Sequence, residues 1–137
     1  MRCYLMHNKI AVVACTGMGK ALASIGRYAS IYLTTTLLPE KTINVCFPCV
    51  VSEDDASVEL LKKYPVILID GCSETCGKKI LTKLNSNIIG HLKVWQILGK
   101  NKELIPDSRV NIGEKGIKLA KIVAQEASKI INQYLEK

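Results

Sequence analysis

The residues of this chain best able to do chemistry are its cysteines, six in 137 residues. Five of them fall into an ordered series: Cys15, the pair Cys46 and Cys49, and the pair Cys72 and Cys76. Thiolates are soft ligands that favour zinc or iron–sulfur clusters over magnesium or calcium, and zinc takes four of them in a tetrahedron. Five sulfurs then compete for four places. Paired thiols have a second chemistry, exchange between dithiol and disulfide, and Cys46-Phe47-Pro48-Cys49 has the C-x-x-C spacing that serves it. Cys72 and Cys76 stand at i and i+4, which on a helix places both on one face a turn apart. A helix N-terminus there would favour the metal-binding thiolate. The plain alternative is a set of small apolar cysteines buried near a sheet edge.

The hydrophobic pattern supplies the elements that must position these thiols. Ile10-Ala11-Val12-Val13-Ala14-Cys15 is an unbroken apolar run, as in a strand buried on both faces, and it ends at Thr16-Gly17-Met18-Gly19. A helix is predicted over 20–38 and closed by Pro39, with Thr34-Thr35-Thr36 weakening its last turn. Residues 43–47 read as a short second strand ended by Pro48. Ser52-Glu53-Asp54-Asp55 signals a helix start, and Lys62-Lys63 sit near that helix's negative end. Pro65 introduces a buried strand over 66–70, and Gly71-Cys72 turns the chain into a helix predicted over 73–84. A fourth strand is predicted over 92–97, at an edge because its alternation is partial. The last helix starts near Gly113 and carries Leu119, Ala120, Val123, Ala127, Ile130, Ile131 and Tyr134 in one apolar stripe, read as core packing.

Strands alternating with helices imply an α/β fold, a three-layer α/β/α arrangement on a mostly parallel sheet of about four strands. At 48% apolar and 23% charged, 137 residues suit a single domain over 1–137. With 5% aromatic residues, the core is to be built from Ile, Leu, Val and Ala. In a parallel sheet every strand ends at the same edge, where sites form. Cys15 ends the first strand, Cys46 the second with Cys49 just beyond, and Cys72 follows the third by two residues. Topology alone thus brings distant thiols to one rim. Lys20, Lys78 and Lys79 would offset the negative charge of a thiolate cluster at longer range without being ligands. Asp70, beside Cys72, reads either as the acceptor of a hydrogen bond that orients the loop or as a plain turn residue. His91, at the start of the predicted fourth strand, falls at the opposite rim and reads as a surface or capping histidine.

Several classes are argued against. Lys and Arg exceed Asp and Glu by 19 to 12, giving +7, but the lysines are scattered and few aromatics interleave with them, which disfavours nucleic acid. No signal peptide is read in residues 1–9, and no run approaches the about 20 apolar residues of a membrane span. The expectation is a reducing cytoplasm, where cysteines serve metal or redox work before staples. Cys15-Thr16-Gly17-Met18-Gly19-Lys20 has the look of a phosphate loop, but Ala14 and Ala21 stand where a Walker motif needs glycine and a hydroxyl. Those glycines are read as serving close packing and a turn.

At Asp70-Gly71-Cys72-Ser73-Glu74-Thr75-Cys76-Gly77-Lys78-Lys79 the sequence resembles the DGC-domain family, named for its Asp-Gly-Cys motif. Cys15-Thr16-Gly17 matches the family's first cysteine turn, Cys46 its second cysteine, and His91-Leu92 its closing strand; the similarity spans about 10–98 and leaves out the last helix. The resemblance implies a zinc ion (Zn2+) held by Cys15, Cys46, Cys72 and Cys76, and Cys49 departs from the pattern as an alternative ligand. A closed four-sulfur site would be structural, whereas an open one would hand metal or sulfur to a protein client or a small thiol species. The competing reading is a thiol-disulfide oxidoreductase using Cys46 and Cys49 or Cys72 and Cys76. Against it, Pro48 and the later helix start place the C-x-x-C in a loop, whereas thioredoxin-like pairs open a helix.

Overall fold

The computed structural model describes residues 8–17 and 19–137. Residues 1–7, read above for a leader, and Met18 of the first turn lie outside the described residues. Strands β1 (Ile10–Ala14), β2 (Thr42–Val45), β3 (Val66–Asp70) and β4 (Ile88–Lys93) form one sheet in the order β2-β1-β3-β4. Every neighbouring pair is parallel. The helices are α1 (Ala21–Tyr32), α2 (Phe47–Val51), α3 (Asp55–Lys63), α4 (Cys76–Lys83), α5 (Val94–Lys100) and α6 (Gly113–Leu135). The expected α/β/α layering is therefore present, with β4 at an edge.

Alternation along β1 divides two cores. Ile10, Val12 and Ala14 join Ile67 and Ile69 of β3 beneath α1, α5 and α6, through Ile25, Ala29, Ile97, Leu119, Val123 and Ile131. Ala11 and Val13 join Val66 and Leu68 against Val50 of α2, Leu61 of α3 and Leu81 of α4. Every residue of β1 and β3 is buried, as their unbroken apolar runs require. Each fully buried Val, Leu or Ile contributes about 1.5–3 kcal/mol, so this central pair is the rigid frame for whatever its ends carry. The register pairs Val13 with Val45 and Ala14 with Ile69, so β1, β2 and β3 leave the sheet at one level.

Local chemistry sets most element ends. Asp54 caps α3 by accepting from the Ser57 amide at 3.1 Å, and Lys62 and Lys63 occupy its last turn as expected. Beyond α1 the chain continues as a π-helical turn, Leu33–Leu37, closed by Leu38 N–H to Leu33 O at 2.9 Å. There Thr34 and Thr35 hydroxyls donate to the carbonyls of Ser30 and Ile31 at 2.8 and 2.6 Å. Threonine bonding back to the preceding turn explains the loosened end.

Four expectations are corrected. Strand β2 stops at Val45, and Pro48 sits in the first turn of α2, where its missing N–H costs nothing. Helix α4 begins at Cys76 rather than near 73, with Thr75 before it in a left-handed conformation at φ 51°. The fourth strand covers Ile88–Lys93, and Val94 opens α5, because Val94, Ile97 and Leu98 follow helical spacing. Gly17 and Gly19 are not packing residues among the described residues, since an added Cβ meets none of these within 4 Å at either. The close approach is at Gly71, where a Cβ would lie 2.5 Å from the Ala23 nitrogen. Among the described residues no helix is long and apolar enough to cross a membrane.

Candidate functional site

The five described cysteines are all free thiols, and all lie beyond the C-terminal ends of β1, β2 and β3. They divide into two sets. Cys15, Cys72 and Cys76 line one cavity of about 220 Å³, together with Asp70, Glu74 and Lys20. Cys46 lines a second cavity of about 280 Å³ with Thr16, Arg27, Asn44 and Phe47. The two cavities flank one turn, Cys15 contributing to the first and Thr16 to the second.

Cys15 is fixed by its amide, which donates to Ile69 O at 3.0 Å and so extends the sheet by one residue. Burial pushes its thiol up, and negative charge on Cys76, Asp70 and Cys72 adds to the effect, against a hydrogen bond from the Gly17 amide that favours the thiolate. Three thiols and a carboxylate thus feel one another through this cavity. A cation placed among them would reverse the balance and draw the thiolates out.

Cys72 and Cys76 do not stand one turn apart on a helix. Gly71 to Thr75 is a loop in which Thr75 N–H donates to Cys72 O at 3.2 Å, and Cys76 is the first residue of α4. Asp70 sets this arrangement. Its carboxylate, 1% exposed, accepts from Gly77 N–H at 3.0 Å and Lys78 N–H at 3.2 Å, satisfying two of the amides that a helix start leaves free. The hydrogen bond expected of Asp70 is there, and it acts as a cap supplied from the strand below. Gly77 is required beneath it, because a Cβ would meet the Asp70 Oδ1 at 2.7 Å.

His91 is displaced from its expected rim. Because β4 starts at Ile88, His91 lies opposite Leu68 near the C-terminal ends of the strands, and its Nε2–H donates to Asp70 Oδ2 at 2.7 Å. This Asp70–His91 pair went unseen in the sequence. The signal that could have found it is Ile88-Ile89-Gly90-His91-Leu92, itself a strand pattern interrupted only by glycine.

Cys46 is exposed and caps α2, whose Val50 N–H donates to the Cys46 carbonyl at 3.1 Å. A hydrogen bond with the Cys46 sulfur holds the half-buried Cys49 thiol above its ordinary value; burial and the charges of Cys46 and Asp54 add to this, and Ser57 opposes it. The C-x-x-C pair therefore does open a helix, which removes the argument that placed it in a loop.

The donor chemistry fits a soft metal, and three of the four implied ligands, Cys15, Cys72 and Cys76, share one cavity. The fourth, Cys46, lies across the turn beside Cys49. Among the described residues, no group of three or more His, Cys, Asp or Glu side chains is already arranged to hold a metal ion.

The family model of the DGC domain matches residues 11–130. The match runs beyond the 10–98 of the motif resemblance and takes in most of α6, as it must if Leu119, Val123 and Ala127 complete the core. No curated protein and no solved structure matches.

Proposed function

This chain belongs to the DGC domain family, and on that premise we propose that it binds zinc through the thiolates of Cys15, Cys72 and Cys76, with Cys46 as the fourth ligand. The observation that carries the reading is the cavity shared by three cysteines from two strand ends and a helix start, where burial and then the negative charges of Cys76, Asp70 and Cys72 raise the Cys15 proton affinity. Bound zinc would lower the proton affinity of these thiols and tie the ends of β1, β2 and β3 together. Asp70 and His91 would act without touching the ion, by fixing the loop that presents Cys72 and Cys76.

The test is elemental analysis of protein purified under reducing conditions, with an expected content of about one zinc per chain. Cys15→Ser, Cys72→Ser and Cys76→Ser should each lose the metal. A metal-free wild type overturns the reading. If Cys49→Ser loses metal and Cys46→Ser keeps it, the fourth ligand is Cys49.

A second reading has its own support. Cys46 and Cys49 open a helix as a C-x-x-C pair, one exposed and one half-buried, which is the arrangement for thiol–disulfide exchange. A metal-free protein with a reversible Cys46–Cys49 disulfide would favour it.

A further inference from the structure

The cavity beside Cys46 differs in charge from its neighbour. None of its lining residues is acidic, whereas Asp70 and Glu74 line the cavity of Cys15, Cys72 and Cys76. It contains Arg27, which has no ion-pair partner among the described residues. Asn44, exposed on the edge strand β2, and Thr16 add polar groups. At about 280 Å³ the space lies at the lower end of small-molecule sites and accommodates a compound of amino-acid to short-peptide size. The net charge of +7 favours the approach of anions.

We propose that this cavity receives a small disulfide bearing a carboxylate, with Cys46 as the nucleophile, Cys49 as the resolving thiol and Arg27 as the counter-charge that seats the carboxylate. The proposal rests on the dithiol reading above and names its substrate class. The Cys46 thiolate attacks one sulfur of the disulfide, forming a mixed disulfide and expelling the other half as a thiolate, which takes up a proton. Cys49, in the first turn of the helix that Cys46 caps, then attacks the Cys46 sulfur. A Cys46–Cys49 disulfide forms and the second small thiol leaves with the Cys49 proton. Two electrons pass from the protein to the substrate. A dithiol reductant, protein or small molecule, returns them by the same exchange.

The probes are oxidised glutathione, which carries carboxylates, and 2-hydroxyethyl disulfide, which is neutral. Both are applied to the reduced, metal-free 137-residue chain at low salt. Cys49→Ser should trap a glutathione adduct on Cys46, seen by mass spectrometry. The ratio of reaction rates, oxidised glutathione over the neutral probe, should fall about fivefold in Arg27→Gln, be restored in Arg27→Lys, and shrink as salt rises. An unchanged ratio in Arg27→Gln overturns the carboxylate assignment while leaving the dithiol intact. No adduct on Cys46 from either probe overturns the dithiol reading, and this proposal with it.

Discussion

Replacing Asp70 by Asn is the sharpest test of how the thiol loop is held. The carboxylate takes three donors at once: Gly77 N–H on Oδ1 at 3.0 Å, and Lys78 N–H and His91 Nε2–H on Oδ2 at 3.2 and 2.7 Å. Asparagine has one oxygen and one NH2 in the same space. If its oxygen keeps Gly77, the NH2 faces the Lys78 amide donor to donor; if its oxygen turns to Lys78 and His91, the Gly77 amide faces the NH2. At least one amide is left unsatisfied at a site 1% exposed, and the surviving bonds lose their charge assistance. Hydrogen bonds to charged groups contribute about 1.5–3 kcal/mol each, and an orphaned buried donor costs about 1–3 kcal/mol. The expected loss is about 3 kcal/mol, or roughly 10 °C in Tm for a chain of this length. Urea unfolding should show a lower midpoint at unchanged slope, and the Gly77 and Lys78 amides should exchange with solvent faster than their neighbours in α4. His91→Leu removes one donor and leaves both amides bound, so it should cost about 1–2 kcal/mol and be strongly non-additive with Asp70→Asn. A loss below about 1 kcal/mol, or unchanged exchange at Gly77 and Lys78, would refute the claim that Asp70 is the cap of α4.

Gly71→Ala should destabilise by about 1–3 kcal/mol, read by urea unfolding, because the new Cβ would lie 2.5 Å from the Ala23 nitrogen and 2.6 Å from its Cα; a neutral outcome would mean that the loop carrying Cys72 is free to move from α1. In the metal-free chain, stability should decline as pH rises through and above the ordinary thiol range. The Cys15 proton is held more tightly in the folded than in the unfolded state, so its contribution is complete below the unfolded value and lost as pH passes the raised folded one. Cys49 shifts in the same direction, so Cys15→Ser should flatten part of the slope in urea midpoints, and an undiminished slope would count against the burial of that thiol. Zinc at a free concentration a hundredfold above its dissociation constant should stabilise by about 2.7 kcal/mol, seen as a rise in Tm that a chelator reverses. A melting curve indifferent to zinc would remove the metal reading.

The parts of the fold legible in the sequence are those decided by neighbours along the chain. The apolar runs of β1 and β3, the Asp54 cap and the stripe of α6 depend on local pattern, and each lies where it was expected, apart from Tyr134, which the stripe placed in the core and which is exposed. Two of the misplacements turn on contacts from afar. Gly90 weakens Ile88-Ile89-Gly90-His91 as a strand pattern, yet a Cβ there would meet the side chains of Ile67 at 2.7 Å and Ile130 at 3.0 Å, so packing from β3 and α6 favours the glycine. Shifting that strand carried His91 to the wrong rim. The start of α4 is likewise set by Asp70, a residue outside the helix, and periodicity cannot register such a cap. Pro48 was ambiguous because proline ends strands and opens helices alike, and only the Cys46 carbonyl accepting from Val50 decides between them.

The partition of the thiols follows from one residue of strand alternation. Ala14 and Thr16 line the cavity of Cys46, while Cys15, between them, lines the cavity of Cys72 and Cys76. The side with Asp70, Glu74 and three thiols accumulates negative charge that, among its described lining residues, Lys20 alone opposes, so its electrostatics favour a cation. The side with Arg27 and no acid favours an anion. For both chemistries to share Cys46, that side chain must change sides across the turn, and its interaction with the Cys49 thiol opposes the change. Removing the Cys49 sulfur by Cys49→Ala should therefore tighten zinc binding where Cys46 is the fourth ligand. Weaker binding in that variant would instead place Cys49 itself at the metal.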